Sequence, residues 1–583
     1  MNLLDRLNNI IDIHKEPFSD IGSRLLVYKD KEKSELIIKL AERLTRIEPG
    51  LGTYLKRPPF IENLCFLDVQ GERLDFKTKT SPYLLTFQTQ KGDFHLCFAD
   101  EETLVLGLPD ESRVGISFYV NHSYIKTTAN GLEIKKVKNF AIETQAEILK
   151  QGCCPTENGD RIVLQMQTNR DATLAMRISD LENLQIDLQP YQKYSSSAKK
   201  KWQQVFESLP PVLEQYQQKY AFAWWVLLNN IVTPKGILKR RAVMPSKAYY
   251  LGAWLWDNAL HAIALRHLDI QLAQEQIKLM LDHQMPDGML PDAIYDEGVV
   301  SEIDHPIHAR VTKPPILAWA AFKVYESQPD IDFLKEIYPA LVRENSWWFA
   351  QNDIDANGLV EYAHPYSSGL DDNPLWDGEM PVESPDINTY LILQMESLAK
   401  IAAILGFQEE AKVWEKRAYS VTERMIASMW DEKKGFFWAT HNNQRVAVTT
   451  PFNLLPLWTG NLSKEMVAKV IDNLTNPDLF GGEWMLPTVA KSDPKFDPEK
   501  MWRGPIWANI NYFFVEALQR NNQPELAKDL ALKTLNLINH QAGIYEYYNP
   551  LTGIPPESAA PVFSWTAAVF IDLAIQISSK NNT

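Results

Sequence analysis

The spacing of apolar positions changes character once along the chain. From about residue 22 to 180 the sequence runs in short apolar or alternating blocks separated by polar turns, as in LCFLDVQGERLDF, YLLTFQTQKGDFHLCFA, LEIKKVKNFAIE and RIVLQMQT. A period of two between turn signals predicts strands. Gly71, Gly92, Gly131 and Gly159 fall in those turns, which suits hairpins. Residues 1–190 are therefore expected to form an antiparallel β-sandwich or open barrel. Residues 191–211 open with YQKYSSSAKKK, a polar run that reads as a linker.

Over residues 212–583 the period becomes helical, and twelve helices are expected: 212–231, 253–267, 271–284, 312–327, 331–350, 386–405, 408–429, 449–458, 463–474, 505–520, 524–539 and 561–578. Their connections alternate between long loops and short turns. Short turns join antiparallel neighbours at one end, so the long loops emerge together at the other. The pattern describes a mainly α toroid of six helical hairpins with one decorated face. Pro339 predicts a kink or split in the fifth helix.

Composition sharpens the division. All 17 tryptophans lie between Trp202 and Trp565. A β-unit without tryptophan has few platforms for stacking on sugars, so a structural or rim-forming role is favoured there over a carbohydrate-binding module. At 583 residues, and about 100–200 residues per domain, the chain has room for two to four units. The net charge of −15 argues against a nucleic-acid partner. The longest apolar stretch, Tyr220 to Pro234, is interrupted by Asn229 and Asn230 and is too short for a membrane span. MNLLDRLNNIIDIHKE does not read as a signal peptide. Cys65, Cys97, Cys153 and Cys154 lack metal-ligand spacing and read as buried free thiols in a reducing cytoplasm. No metal or other cofactor is implied, and the oligomeric state is left open.

Candidate chemistry sits on the long loops. They carry WLWDN with Trp256 and Asp257, PDGMLPD, SGLDDNPLWDGEM with Asp371, Asp372, Trp376 and Asp377, MWRGPIW with Trp502, Arg503 and Trp507, and IYEYYNPLTG with Tyr545 and Glu546. Carboxylates hydrogen-bond sugar hydroxyls, and aromatic rings stack on the C–H face of a pyranose. Cleaving a glycosidic bond needs one protonated and one ionised carboxyl. Asp257 could instead be a helix cap. Arg503 is a candidate for contacting substrate or steadying the base, with a structural ion pair as the equal alternative.

The motifs SGLDDNPLWD, WRGPIW, WLWDN, PDINTYL and EYYNPLTG resemble glycoside hydrolase family 63, over about residues 212–578. That resemblance implies an (α/α)6 barrel and inverting hydrolysis of a small α-linked saccharide. It implies Asp371 as general acid, Glu546 as general base, and Asp257 with Trp256 lining the subsite of the cleaved sugar. Trp376, Trp502, Trp507 and Tyr545 are further candidates for substrate contact. Inversion places the two carboxyls about 6.5–9.5 Å apart, with water between them. Leu375 stands where the family form SGxDxxPRWD has arginine, which removes a fork of donors from the leaving-group side. Trehalase signatures are absent in recognisable form. Trehalose and glycosylglycerates are alternative substrates, and the acidic loops lean towards a neutral glycoside. From other classes, a sugar isomerase would use His261, His283, His305 or His364, and a catalytically dead sugar-binding protein is the third alternative.

Overall fold

A computed structural model of the chain describes residues 2–42, 59–120, 124–135, 138–157, 159–182 and 184–580. It divides into two compact units. The first comprises residues 1–209, 228–233 and 247–251, and the second comprises 210–227, 234–246 and 252–583.

The first unit is built from β1 (Leu25–Lys29), β2 (Leu36–Leu40), β3 (Ile61–Leu67), β4 (Lys77–Ser81), β5 (Leu84–Thr89), β6 (Gly92–Asp100), β7 (Thr103–Gly107), β8 (Arg113–Val120), β9 (Tyr124–Thr128), β10 (Gly131–Lys135), β11 (Asn139–Thr144), β12 (Glu147–Thr156), β13 (Gly159–Gln167) and β14 (Thr173–Ser179). They form a six-stranded sheet ordered β1-β2-β3-β8-β13-β12 and an eight-stranded sheet ordered β4-β5-β6-β7-β14-β11-β10-β9. Alternation buries one side of strands such as β13, while β7 is buried along its whole length and the edge strand β12 buries none of its residues; aromatic rings join the two sheets. Phe66 on β3 stacks on Phe94 of β6 with centroids 4.0 Å apart, and Phe118 on β8 meets Phe140 of β11 edge-on. Gly92 opens β6 at φ +112, where a Cβ would lie 2.9 Å from Pro109.

Two expectations fail in this unit. Residues expected as a linker form helix α1 (Tyr191–Glu207). Its polar stretch YQKYSSSAKKK is solvated helix surface, while Trp202 and Phe206 are buried and Tyr191 stacks on His95 at 4.8 Å. A few anchoring contacts outweigh a polar composition. The thiols are also not all buried: Cys65 and Cys97 are, but Cys153 and Cys154 are exposed, because β12 is the edge strand of its sheet.

The second unit holds α2 (Gln217–Asn229), most of which belongs to it, followed by α3 (Leu255–Leu265), α4 (Ile270–Leu281), α5 (Leu317–Ser327), α6 (Ile331–Asn352), α7 (Pro385–Ile404), α8 (Gln408–Met429), α9 (Lys464–Thr475), α10 (Ala508–Arg520), α11 (Pro524–Asn539) and α12 (Ser564–Lys580). Local signals set several starts: the Asp269 and Asp330 carboxylates accept the N–H groups of Leu272 and Phe333, capping α4 and α6. Short turns pack α3 on α4, α7 on α8 and α10 on α11. Across these pairs α3 packs on α5, α5 on α7, α10 on α12 and α12 on α3.

Where an α-helix over 449–458 was expected, two 3₁₀ segments occur: Leu455–Thr459 bridges α7 and α10, and Pro451–Asn453 packs on α7. Pro451 and Pro456 lack the N–H groups an α-helix needs, and Gly460 at φ +71 ends the turn. Trp458 still fills its place, stacking on Phe513 of α10 at 4.7 Å and meeting Trp319 of α5 edge-on. Of the kink or split expected at Pro339, the split does not occur, since α6 runs through it.

Candidate active site

The loop that carries Asp371 is a chain of locally determined turns. His364 caps a 3₁₀ turn at Pro365–Ser368, its Nδ1 accepting the Tyr366 N–H at 3.1 Å, and Gly369 closes the turn in the left-handed region at φ +78. Asn373 caps the next turn, Pro374–Trp376, by accepting the Leu375 N–H at 3.0 Å. Its amide also donates to the carbonyls of Thr488 and Trp502 at 3.1 and 2.8 Å. The WRGP segment completes the clamp. The Trp502 N–H donates to the Asp372 carboxylate at 2.9 Å, and Arg503 donates to the Asp372 carbonyl at 2.9 Å and to both Asp377 carboxylate oxygens at 2.8 Å.

Asp371 itself faces a residue that the sequence did not single out. The Lys313 Nζ lies 3.3 Å from Asp371 Oδ1 and 2.9 Å from Asp292 Oδ1, and donates to the Tyr366 carbonyl at 2.6 Å. Lys313, Asp292 and Asp257 are buried, while the Asp371 side chain is 29% exposed at the mouth of the cluster. Desolvation around the Asp371 carboxyl pushes its pKa up to about 6, with Asp292 and Asp372 adding to the rise and Lys313 opposing it. Asp257, at the start of α3, is pushed well above the carboxylate range by burial, with Glu546 and Asp292 adding and Lys313 again opposing. Burial works against the charge on Lys313, yet Asp292 and Asp371 outweigh it and its pKa rises. Glu546 is buried. Its backbone N–H donates to the Ala560 carbonyl at 2.9 Å and its carboxylate accepts the Ala560 N–H at 3.2 Å. The fold thus gathers Asp257, Asp292, Lys313, Asp371 and Glu546 into one electrostatic cluster.

The tryptophans depart from expectation. Trp256, Trp502 and Trp507 are 3%, 1% and 1% exposed, so they are not open walls. Trp502 and Trp507 stack with centroids 3.6 Å apart, and Trp565 meets Trp256 edge-on at 5.0 Å. This block buttresses the loops from beneath, because large apolar faces gain most when wholly removed from water. Trp376 is 8% exposed and lines a cavity of about 230 Å³ together with His305, Tyr366, Asp371, Asp372, Asp377 and Arg503. Tyr545 is half-buried beside Glu546. Leu375 is 2% exposed in a buried cluster with Met289, Trp347, Val360, Tyr362 and Trp376, and is not among the residues that line the cavity.

Of the histidines named for an isomerase, His305 lines the cavity beside Asp371 and lies close enough to His364 to act on it electrostatically. His261 is buried, its Nδ1 3.1 Å from Asn258 Oδ1 and its Nε2 2.6 Å from Ser564 Oγ, and burial pushes its pKa down to about 3. His364 is pushed down to about 4, by burial and then by Lys313. Of the residues missed by sequence reasoning, Asp292 lies in the quoted PDGMLPD loop, and Lys313 was signalled only by a lysine in the otherwise apolar VTKPPILAWAA. Among the described residues no cluster has the makings of a metal site, and no helix is long and apolar enough to cross a membrane.

A helical unit whose loops gather acidic residues beside a small cavity belongs with the glycoside hydrolases. Residues 250–566, more than half of the 583, match the family described as the mannosylglycerate hydrolase MGH1-like glycoside hydrolase domain, and the chain belongs to that family, within glycoside hydrolase family 63. It is 26% identical over 400 residues to mannosylglycerate hydrolase of Thermus thermophilus, covering 56% of this chain and 95% of that protein. It is 23% identical to glucosylglycerate hydrolase of Mycolicibacterium hassiacum, covering 55% of this chain and 92% of the relative. A crystal structure of the family 63 mannosylglycerate hydrolase from Thermus thermophilus in complex with glucose superposes with a TM-score of 0.53 at 24% identity, over 60% of this chain and 99% of that one. A bacterial glucoamylase complexed with acarbose shares the fold over 97% of this chain and 95% of its own, with a TM-score of 0.62 at 10% identity.

Proposed function

We propose that this glycoside hydrolase cleaves a small, neutral α-glycoside with inversion, on an (α/α)6 barrel. Asp371 is the general acid that protonates the leaving oxygen, and Glu546 is the general base that takes a proton from the attacking water. The observation that carries the assignment is the placement of Asp371: a carboxyl at the mouth of a small cavity, raised to about pKa 6 chiefly by burial, as a general acid working near neutral pH requires. The packing of α3 on α5, α5 on α7, α10 on α12 and α12 on α3 supports a closed inner ring, with the 3₁₀ pair standing in for one helix. Asp257, buried and with its pKa raised, would hydrogen-bond hydroxyls of the cleaved sugar. Trp376 would supply a wall, and Arg503 would act through the loop it clamps.

Neutrality of the aglycone is supported by the cavity lining. Asp371, Asp372 and Asp377 face it with Arg503 as the sole Lys or Arg, and both outer nitrogens of Arg503 are engaged by Asp377. A second reading, a glycosylglycerate as substrate, is favoured by the named activities of the Thermus and Mycolicibacterium relatives. One experiment separates these. The protein is incubated with trehalose, maltose, glucosylglycerol, glucosylglycerate and mannosylglycerate, and the first anomer released is followed by proton NMR. Release of the β-anomer from a neutral substrate is expected. An α-anomer formed at the carbon whose glycosidic bond breaks overturns inversion, which for trehalose means more α-glucose than the equimolar amount its leaving glucose supplies; exclusive cleavage of the glycerates replaces the first substrate reading with the second.

A further inference from the structure

We propose that Lys313 is a positioning residue for Asp371: its buried ammonium fixes the carboxyl at the cavity mouth and neutralises the carboxylate left when the proton passes to the leaving oxygen. The inference rests on Asp371 being the general acid.

The placement is specific. Lys313 sits at the end of a long loop, just ahead of α5, with its side chain 5% exposed. A buried ammonium is costly unless paired and hydrogen-bonded, and here the Tyr366 carbonyl at 2.6 Å, Asp292 at 2.9 Å and Asp371 at 3.3 Å surround it. Tyr366 lies within the 3₁₀ turn that His364 caps, so the same ammonium that touches Asp371 also ties down the turn leading to it. The charged groups acting most on the acid are Asp292 and Asp372, which favour its protonated form, and Lys313, which favours its ionised form; His305, Tyr366, Asp377 and Arg503 line the same cavity. Asp257 and His364 also feel Lys313, and Glu546 acts on Asp257. Asp292 is the nearer partner of the cation. It therefore takes the larger share of the pairing and leaves Asp371 able to keep a proton at rest.

During the reaction that balance shifts. The proton moves from Asp371 to the glycosidic oxygen as the bond from that oxygen to the anomeric carbon breaks, while water bonds to that carbon and gives its proton to Glu546. Negative charge then appears on Asp371, 3.3 Å from a fixed ammonium, where desolvation makes the attraction strong. An acid whose conjugate base is stabilised gives up its proton more readily.

The test is the pH dependence of kcat/KM for Lys313→Gln, Lys313→Arg and Asp292→Asn, measured on the substrate cleaved fastest in the panel above, with thermal melts as a check on folding. Lys313→Gln should move the basic limb up by about one unit or more, since losing one close charge commonly shifts a carboxyl by that much, and should lower kcat about tenfold or more. Asp292→Asn should move the limb down, because Lys313 then pairs with Asp371 alone, and Lys313→Arg should keep it near the wild-type position. A purely structural lysine would lower stability without opposite movements of the limb. Limbs that stay put, or move the same way, in Lys313→Gln and Asp292→Asn overturn the proposal. If Lys313→Gln does not fold, the direction of the Asp292→Asn shift decides alone. Activity retained in Asp371→Asn would remove the acid assignment itself, whereas an inactive Asp371→Asn with unmoved limbs removes only the role of Lys313.

Discussion

Gly369 lies against the indole of Trp256: a Cβ on that glycine would come within 2.4 Å of the ring's Cη2 and Cζ2 atoms. The glycine also holds φ +78, so two independent constraints exclude any side chain two residues before Asp371. The glycine of SGLDD is thus a packing requirement of the indole beneath the acid loop.

Gly369→Ala should therefore both destabilise the protein and misplace Asp371. The left-handed backbone alone costs about 1–3 kcal/mol for a side chain, and the indole contact adds to it. An ångström of displacement at the acid is enough for about a hundredfold loss in kcat. Urea unfolding and steady-state kinetics measure the two effects. Wild-type stability with wild-type kcat would show that the loop has room after all.

Activity should have a mildly acidic optimum. With Asp371 raised to about 6, chiefly by burial, the acid loses its proton as pH passes that value, so the basic limb of kcat/KM should fall near pH 6. A limb far above that value would mean that another group supplies the proton.

Arg503 and Asp377 should be coupled to each other more than either is to stability. The pair is bidentate but partly open to solvent, with side chains 18% and 38% exposed, so a double-mutant cycle of Arg503→Met and Asp377→Asn should give a stability coupling of only about 0.5–1 kcal/mol. The loss in kcat should be larger, because Arg503 also holds the Asp372 carbonyl beside the acid. Additive kinetic effects of the two substitutions would separate the clamp from the acid's placement.

Glu344 predicts a pH dependence of stability outside the active site. This carboxyl on α6 is buried, accepts a hydrogen bond from Gln394 at 2.9 Å, and is pushed up to about 8 by desolvation. Between the ordinary value of 4.5 and about 8 the folded protein holds a proton that the unfolded chain has released. The stabilisation is complete below that window and is lost as pH rises through it, with a slope of at most about 1.4 kcal/mol per pH unit from this group. Melting temperatures measured across that window should fall less steeply for Glu344→Gln than for wild type. Parallel curves would exclude the contribution.

The sequence by itself determined what depends on neighbours along the chain. The period of two and the later helical period marked out the two kinds of unit. The caps Asp269 and Asp330 lie at the starts of α4 and α6, and the motifs around Asp371 and Glu546 placed the chain in its family. Tertiary structure decided what depends on partners far apart in sequence. Whether YQKYSSSAKKK is linker or helix turned on burying Trp202 and Phe206, and whether Trp502 and Trp507 are walls or foundation turned on their stacking with each other and packing near Trp565. The ammonium of Lys313 reaches Asp371 across 58 positions of sequence. A lysine in an apolar run carries no sign of which carboxylates it will meet, because a buried ion pair is fixed by where the loops converge and how completely water is removed there.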